Sequence, residues 1–563
     1  MNQSDKINIS KFKIGVLLQS FKMNKFEKEI IDQLNLDKNI ELFAILERKK
    51  NDNFFNKISF AFKKNSFLRN LEIFFFKLIF FIEKFLLNLV FKNLKELNND
   101  YIVNKDIFKK IINVSPIYSP KGLYSEYNIQ DFDKITNEKL DLVIRGNVNE
   151  IFRNNKLKIS RLGIISFHHG DNRWNRGGPP GFWETYYNKS ETGFIIQLLT
   201  SSLDDGKVVF RGEFATKRLY TLNYYNLLRE SNYNLIHIIK RVLLNKLTII
   251  DDSDLDKPKI HKTPKISVVL MYLFYKIKLL SNMFFVKYIF RKKQTWTVCY
   301  SRNSFDKVDF QNPIEIDNLK DRYFADPFVI SKNDKKFIFV EDFSFKNKKG
   351  SISVIEIDEN DRKKIYEKII EENFHLAFPF VFFHENNLYM VPETAEANSI
   401  RLYKCNVFPH KWEYCYDLIS NINCADTIIF KRDNYYYLLT STSYYNDFSS
   451  KLEIYSADNP ISNSWKPLKL NPIFFDIKNG RNGGLVYKNN EIFRVAQTYG
   501  INDLGDNQYG RKFSVNKIIQ LNLEKFEEKN ILNVKPDFKK NLLGTHHMSS
   551  VDKFTVFDYC KYE

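Results

Sequence analysis

The sequence predicts two fold classes in series: an α/β domain built on a largely parallel, Rossmann-type sheet, then an all-β propeller of five blades. Three observations carry this expectation. The chain opens with a strand–helix–strand pattern, a charged and proline-punctuated break divides it near the middle, and one strand–turn–strand pattern then recurs. With 563 residues, 44% hydrophobic and 16% aromatic, the chain can bury a separate core in each part and is too apolar for disorder. The expected boundaries are 1–250 for the α/β domain, with an apolar helical insertion at 66–98, then 251–293 for a linker and helix, and 294–563 for the propeller.

The elements follow in order. Lys13 to Gln19 reads as a short buried strand, Lys25 to Leu34 as a helix and Glu41 to Leu46 as a second strand, the order that builds a parallel sheet. LDLVIRG (Leu140 to Gly146) and GIISF (Gly163 to Phe167) read as further strands. Between Leu46 and Leu140, Ser66 to Glu96 is long enough to cross a bilayer, but Lys77, Glu83 and Lys84 interrupt it, which a spanning helix rarely tolerates. Asn70, Lys77, Lys84, Asn88 and Lys95 share one helical face. A helix packed on the domain or on a second copy, and an interfacial membrane helix, both fit that pattern. Asp251 to Pro264 reads as a linker, and Ile266 to Lys293 as a basic, aromatic helix.

Beyond Gln294 the pattern changes. FADPFVI, AFPFVFF, CADTIIF and NGGLVYK recur roughly every 50 residues, each followed by a turn (KNDKK, HENN, KRDN, KNN) and a second strand. Sheets repeating at this period mean a β-propeller. THHMSSVDKFTVFDY would complete a fifth blade with WTVCYS (Trp296 to Ser301), closing the ring by pairing early and late strands.

The net charge is +19, but the lysines are dispersed among Asn, Ile and Phe. That is a compositional bias more than a nucleic-acid stripe, and it suits anionic membranes or anionic sugar donors better. Five cysteines without a close pair offer neither a disulfide framework nor a zinc site. The start lacks the order of a secretion signal, so a cytoplasmic protein, with possible attachment to the inner face of a membrane, is the expectation.

GIISFHHGDNRWNRGGPPGFWETYY, Gly163 to Tyr187, is dense in glycine, proline, tryptophan and histidine. His168 after a strand, with Asp204 downstream in LDDG, is a general-base arrangement in which a carboxylate fixes the imidazole. A metal would use His168, His169 and Asp171, although neighbouring histidines on a strand end point to opposite faces; a structural loop is the third reading. The stretch resembles the catalytic half of the folate-dependent formyltransferases, the family of methionyl-tRNA and sugar N-formyltransferases. The resemblance rests on His168, Arg176-Gly177, Pro180, Trp183, Glu191-Thr192-Gly193 and Leu203-Asp204-Asp205-Gly206 in order. It implies His168 as general base and Asp204 as its partner, with N10-formyltetrahydrofolate as donor held by Gly170, Asp171, Asn172, Arg173, Arg176 and Gly177. Ser166 takes the place of the family's oxyanion-binding asparagine, and the family's Ser-Leu-Leu-Pro loop is replaced by Gly170 to Trp174.

In the propeller, Asp326, Glu341, Glu393 and Asp426 fall near the inner strands, with Arg481 and His546-His547 beside them. Carboxylates across a sugar perform glycoside chemistry, bind glycan without chemistry, or cap backbone amides. The repeat resembles the five-bladed propeller of the glucosamine inositolphosphorylceramide transferases and, more distantly, the five-bladed glycosidases. Together these resemblances imply formyl transfer to a nucleotide- or lipid-linked amino sugar in surface polysaccharide or lipopolysaccharide synthesis, with the propeller holding glycan, no resident metal and no nucleic-acid partner. The alternative places glycosyltransferase or glycosidase chemistry in the propeller, beside a degenerate first domain. A third reading is a glycan-binding scaffold without catalysis.

Overall fold

The computed structural model describes residues 11–47, 66–97, 100–119, 124–148, 150–200, 206–244, 249–252, 258–443 and 446–563. The chain divides into two compact units, the first through Lys276 and the second from Ile277, with Glu213–Ala215 also assigned to the second.

Unit 1 is built on a seven-stranded sheet. Phe12–Leu18 lies at its centre, flanked in parallel by Ile40–Glu47 and then Phe108–Val114 on one side, and by Leu142–Arg145 and then Ile164–His168 on the other. Glu191–Leu198 runs antiparallel to Ile164–His168, and Lys207–Ala215 completes the edge. The central strands are continuous apolar runs because both faces are covered. The helix Lys25–Asn35 starts at a capping box, Asn24 accepting from the Glu27 amide and Glu27 from the Asn24 amide, and buries Phe26, Ile30, Ile31 and Leu34. The helix Tyr220–Leu243 packs beside it, with Phe26 and Tyr225 edge to face at 5.5 Å.

The strand order reverses beside Phe12–Leu18, where an open sheet has its crevice. Here the chain laces that crevice itself. Asn147 Oδ1 accepts from the Gln19 amide at 2.7 Å, and its Nδ2 donates to the carbonyls of Ser20 and Lys22. Nearby, Glu47 and Lys156 form an ion pair at 2.6 Å with both side chains fully buried. The Tyr127 hydroxyl donates to Glu47 at 2.5 Å, and the Lys156 ammonium lies over the Phe152 ring.

The 66–98 segment is the helix Phe67–Val90, capped by Ser66 and followed by a 3-10 turn at Lys92–Leu97. Only Phe76 and Phe80 of the long helix are buried. They pack with Phe182, Trp183, Tyr220, Val269 and Tyr272, so most of this apolar helix faces outward. The expected second helix is Ile266–Phe284, continued by a π turn at Phe285–Ile289.

Unit 2 is a propeller-like array of antiparallel sheets. Two are four-stranded meanders, Arg322–Lys332 to Lys363–Ile370 and Ala377–His384 to Lys411–Ser420. A third runs from Cys424–Arg432 through Tyr435–Thr442 and Lys451–Ala457. The hairpin turns at Asn333-Asp334 and Asn489-Asn490 hold both residues at positive φ, which asparagine and aspartate tolerate and the strand twist requires. Gln294–Ser301 pairs along its length with Phe554–Tyr562, the pairing the sequence suggests. The described residues form four such sheets, not five separate ones: a parallel bridge between Val486 and Ser550 joins the closing strands to Asn482–Lys488 in one nine-stranded sheet.

Replacing Lys156 with Met would leave the Glu47 carboxylate buried without its cation. This should cost about 3–5 kcal/mol in the urea unfolding of unit 1. Adding Glu47→Gln to the same chain should recover most of that loss.

Candidate functional site

In unit 2 the four recurring segments share one local device. The innermost strand of each repeat carries a bulge, at Ala325/Phe328, Ala377/Phe380, Ala425/Ile428 and Asn482/Gly484. Asp326, Phe378 and Asp426 in the first three bulges, and Gly484 just after the unpaired Gly483 in the fourth, have positive φ, 51°, 46°, 54° and 123°. A bulge re-aims its side chain, and in the first and third repeats the re-aimed residue is an aspartate. A side chain on Gly484 would collide with the Met548 carbonyl, which is why the fourth repeat reads NGGL. Glu341 lies opposite Ala325, and Glu393 opposite Ala377, on the neighbouring strands.

These groups form a connected network. His546 Nε2 lies 2.9 Å from Asp326 Oδ1, and its Nδ1 lies 2.9 Å from Asp558 Oδ1. Asp558 also accepts the amides of Asp326, His546 and His547, each at 3.1 Å, and Asp326 accepts the Phe378 amide at 3.2 Å. Arg481 Nε donates to Asp426 at 2.5 Å, with its NH2 3.8 Å from Glu393 and its guanidinium 4.7 Å from the Tyr509 ring centre. Gln497 donates to Asp426 at 2.8 Å, and the Glu393 carboxyl hydrogen-bonds to Asp426. Trp296 and Tyr509 flank the His546 ring at 4.0 and 5.3 Å.

The protonation states are split. Burial disfavours a charged His546, yet Asp558 and Asp326 overcome it and raise the imidazole to about 10. Burial opposes ionisation of Asp326 too, but His546 brings it down to about 2. Burial, then the neighbouring Asp326 and Glu393, push Glu341 well above the carboxylate range. Burial and Asp426 do the same to Glu393, against the pull of Arg481. His375 accepts the Gly350 amide at Nδ1, leaving its Nε2, which then carries the proton, 3.6 Å from Glu341 Oε1. The centre therefore combines an imidazole and an aspartate biased toward their charged forms with two glutamates biased toward their neutral ones.

Among the described residues Asp326, His546 and Asp558 are the one cluster close enough to share a metal ion. Both ring nitrogens of His546 already face carboxylates, so the proton fills the role an ion would take.

The structure thus brings Asp326, Glu341, Glu393, Asp426, Arg481 and His546 into one network. Sequence reading missed Asp558, Tyr509, Gln497 and His375. The signal for Asp558 was present: one carboxylate in the otherwise apolar strand FTVFDYC.

In unit 1, Ser166 is buried and its hydroxyl donates to the Phe167 carbonyl at 3.1 Å, so it is turned away from the oxyanion role expected of it. His168 ends its strand against Gly170, where an added Cβ would lie 3.2 Å from its Nε2. His169 faces the Ser231 hydroxyl at 3.2 Å, and burial, then His168 and Arg145, push it down to about 3. Asp171 is gripped by Arg173 and Arg211, and Asn172 by Arg211 and Asp252. These residues brace the loop itself where donor contacts were expected. Arg176-Gly177 pairs with Ile260–His261, and a side chain at Gly177 would strike the His261 carbonyl. Asp204 lies outside the described residues. Glu184, not singled out from sequence, is raised by burial to about 7 and accepts from Asn175 at 2.8 Å.

Residues 313–550 match the family model described as glucosamine inositolphosphorylceramide transferase 1, N-terminal. Glucosamine inositolphosphorylceramide transferase 1 of Arabidopsis thaliana is 31% identical over 216 residues, 37% of this chain. The match spans 27% of that relative, about a quarter of its length. Among solved structures, the Coprinopsis cinerea GH62 α-L-arabinofuranosidase catalytic domain is 11% identical at a TM-score of 0.30, covering 42% of this chain and 90% of that one. A sugar N-formyltransferase from a Shewanella species is 16% identical at a TM-score of 0.27, covering 46% and 87%. Structural likeness this low bears no weight. The family and relative matches overturn the expectation of formyl transfer from folate: the matched residues belong to unit 2, and the relatives are named for a different transfer. The reading that places the chemistry in the propeller fits them better.

The network dictates a pH response. Folded His546 keeps a proton that the unfolded chain releases near pH 6.5, so its stabilisation is complete below that pH and is lost as pH rises to about 10. Glu341 and Glu393, raised above their ordinary 4.5, act in the same direction. The Tm of unit 2 should fall between pH 6.5 and 10. His546→Gln should be less stable at pH 6.5, by about 3–5 kcal/mol, and lose less over the same rise.

Proposed function

We propose that the chain is a glycan-processing enzyme of the glycosyltransferase kind, acting on a lipid-linked glycan at the inner strand ends of unit 2. The observation that carries this reading is the Glu393 carboxyl set against Asp426, itself ion-paired with Arg481, where burial and Asp426 push Glu393 well above the ordinary carboxylate range. Making or breaking a glycosidic bond needs a proton-holding carboxyl and a second carboxylate with the sugar between them, so in this reading the Glu393–Asp426 hydrogen bond opens to admit the substrate. In this reading Glu393 protonates the departing oxygen of the donor. Asp426 receives the proton of the acceptor hydroxyl, and Arg481 holds Asp426 in place. Asp326, fixed between His546 and the Phe378 amide, keeps negative charge nearby and so helps Glu341 and Glu393 retain their protons.

Architecturally the reading takes unit 2 as a five-bladed propeller, the nine-stranded sheet being two blades joined at Val486 and Ser550. The names of the matched relatives suggest glucosamine and an inositolphosphoryl lipid as the substrate class, and in this reading the glucosamine arrives on a nucleotide. A second reading, glycan binding without turnover, is favoured by one observation: Asp326 and Asp558 cap backbone amides, a structural use of carboxylates.

Whole-chain variants tested with nucleotide-linked glucosamine and inositolphosphoryl lipid separate the two. Glu393→Gln should lower turnover by about 10²–10⁴-fold while glycolipid binding, read by calorimetry, persists. Turnover unchanged in both Glu393→Gln and Asp426→Asn would remove the chemistry from this centre. Binding by the native chain with no turnover of any donor would establish the scaffold.

A further inference from the structure

In unit 1 the helix Phe67–Val90 is amphipathic in the inverted sense. Its polar atoms turn inward: Glu83 accepts the Thr221 amide at 2.8 Å and the Tyr272 hydroxyl at 2.7 Å, and Glu72 is paired with Arg69 at 2.7 Å. Its outward stripe runs Leu71, Phe74, Leu78, Phe81, Phe85 and Leu89, at the spacing of one helical face. Phe74, Phe81 and Leu89 are 63%, 67% and 71% exposed. The neighbouring helix adds Leu270, Met271 and Phe274 to the exposed apolar surface of unit 1. A contiguous apolar surface of this kind marks a docking face.

The charge on its border says what docks. Lys77 is the one charged residue among the exposed positions of the stripe. It lines an open recess of 970 Å³ with Ser66, Arg69, Lys262 and Thr263, and no carboxylate is part of that lining. Neither Lys77 nor Lys262 has an ion-pair partner among the described residues. An apolar stripe bordered by unneutralised cations is complementary to an anionic lipid surface, with acyl chains for the stripe and a headgroup phosphate for the recess. A second copy of this chain would bring the same cations together.

We propose that unit 1 docks on anionic bilayers through the outer face of the helix Phe67–Val90, lying in the interface without crossing it. Ile266–Ile289 is long and apolar enough to cross a membrane. However, Val269 and Tyr272 are buried against Phe80 and Phe182, and Tyr272 donates to Glu83, which holds its first part in the protein. This inference does not depend on the chemistry proposed for unit 2, because it is read without turnover.

The test is flotation of the full chain with phosphatidylcholine vesicles, with and without phosphatidylglycerol. The native chain should float with the anionic vesicles, at least tenfold more than with neutral ones, and should release as salt is raised. Phe74→Ser with Phe81→Ser, and separately Lys77→Glu with Lys262→Glu, should each lower that binding at least tenfold, with near-UV circular dichroism unchanged. Absence of flotation, equal binding to neutral vesicles, or binding that ignores both variant pairs would overturn the proposal. So would resistance to alkaline carbonate extraction, which indicates a span, or a dimer in light scattering that Phe74→Ser with Phe81→Ser dissolves without any lipid binding. Should a variant fail the dichroism check, the salt and lipid dependence of the native chain still decides.

Discussion

Unit 2 is organised by one backbone constraint. In or beside the bulge of four successive repeats the innermost strand passes through positive φ, at Asp326, Phe378, Asp426 and Gly484. For residues other than glycine this costs roughly 1–2 kcal/mol each, and neighbouring carboxylates offset part of it. Asp558 captures the amide of Asp326, and Asp326 captures that of Phe378, so the closing strand is tied to the first repeat and the first repeat to the second at the point where the backbone is least comfortable. Packing and electrostatics follow from that tie. Asp326 is the stronger acceptor when ionised, and His546 favours that state; burial, with Asp326 beside Glu341 and Asp426 beside Glu393, pushes the two glutamates well above the carboxylate range. The fold's own fastening sets the acid–base character of its centre.

Much of this was legible in the chain. The recurring ADPF, FPFV, ADTI and GGLV segments mark the bulges, and the KNDKK and KNN turns mark the hairpins, because positive φ restricts which residues can stand there. Asp326, Glu341, Glu393, Asp426, Arg481 and His546 were readable for the same reason: polar groups in otherwise apolar inner strands are conspicuous. Asp558 escaped because its partners, Asp326 and His546, are 232 and 12 residues away, and no local spacing relates them. In unit 1 the parallel sheet was equally plain, but the loop from Gly170 to Gly177 misled. Its histidines, arginines and glycines suggest a bound donor, whereas Asp171, Arg173, Arg211 and Asp252 neutralise one another. A sequence shows which residues are charged, and only the fold shows whether they already have partners.

The two units spend their polar groups differently. Unit 2 concentrates charge at the inner ends of its strands. Unit 1 buries the Glu47–Lys156 pair below a crevice already laced by Asn147, and turns Glu83 inward while phenylalanines face out. A buried pair of that kind confers little net stability, and tolerating it speaks for a requirement on arrangement.

The pairing of Gln294–Ser301 with Phe554–Tyr562 sets a timetable for the ribosome. The earlier strand emerges with its hydrogen-bonding edge unanswered while some 250 further residues are made, about 12–50 s at the usual rate of synthesis. During that interval the three intervening sheets can form, since each is a local meander. Trp296, Val298 and Tyr300 must wait in a nascent chain whose exposed strand is an invitation to wrong partners. A chaperone that shelters this strand until Phe554–Tyr562 arrives would govern how much native protein a cell obtains.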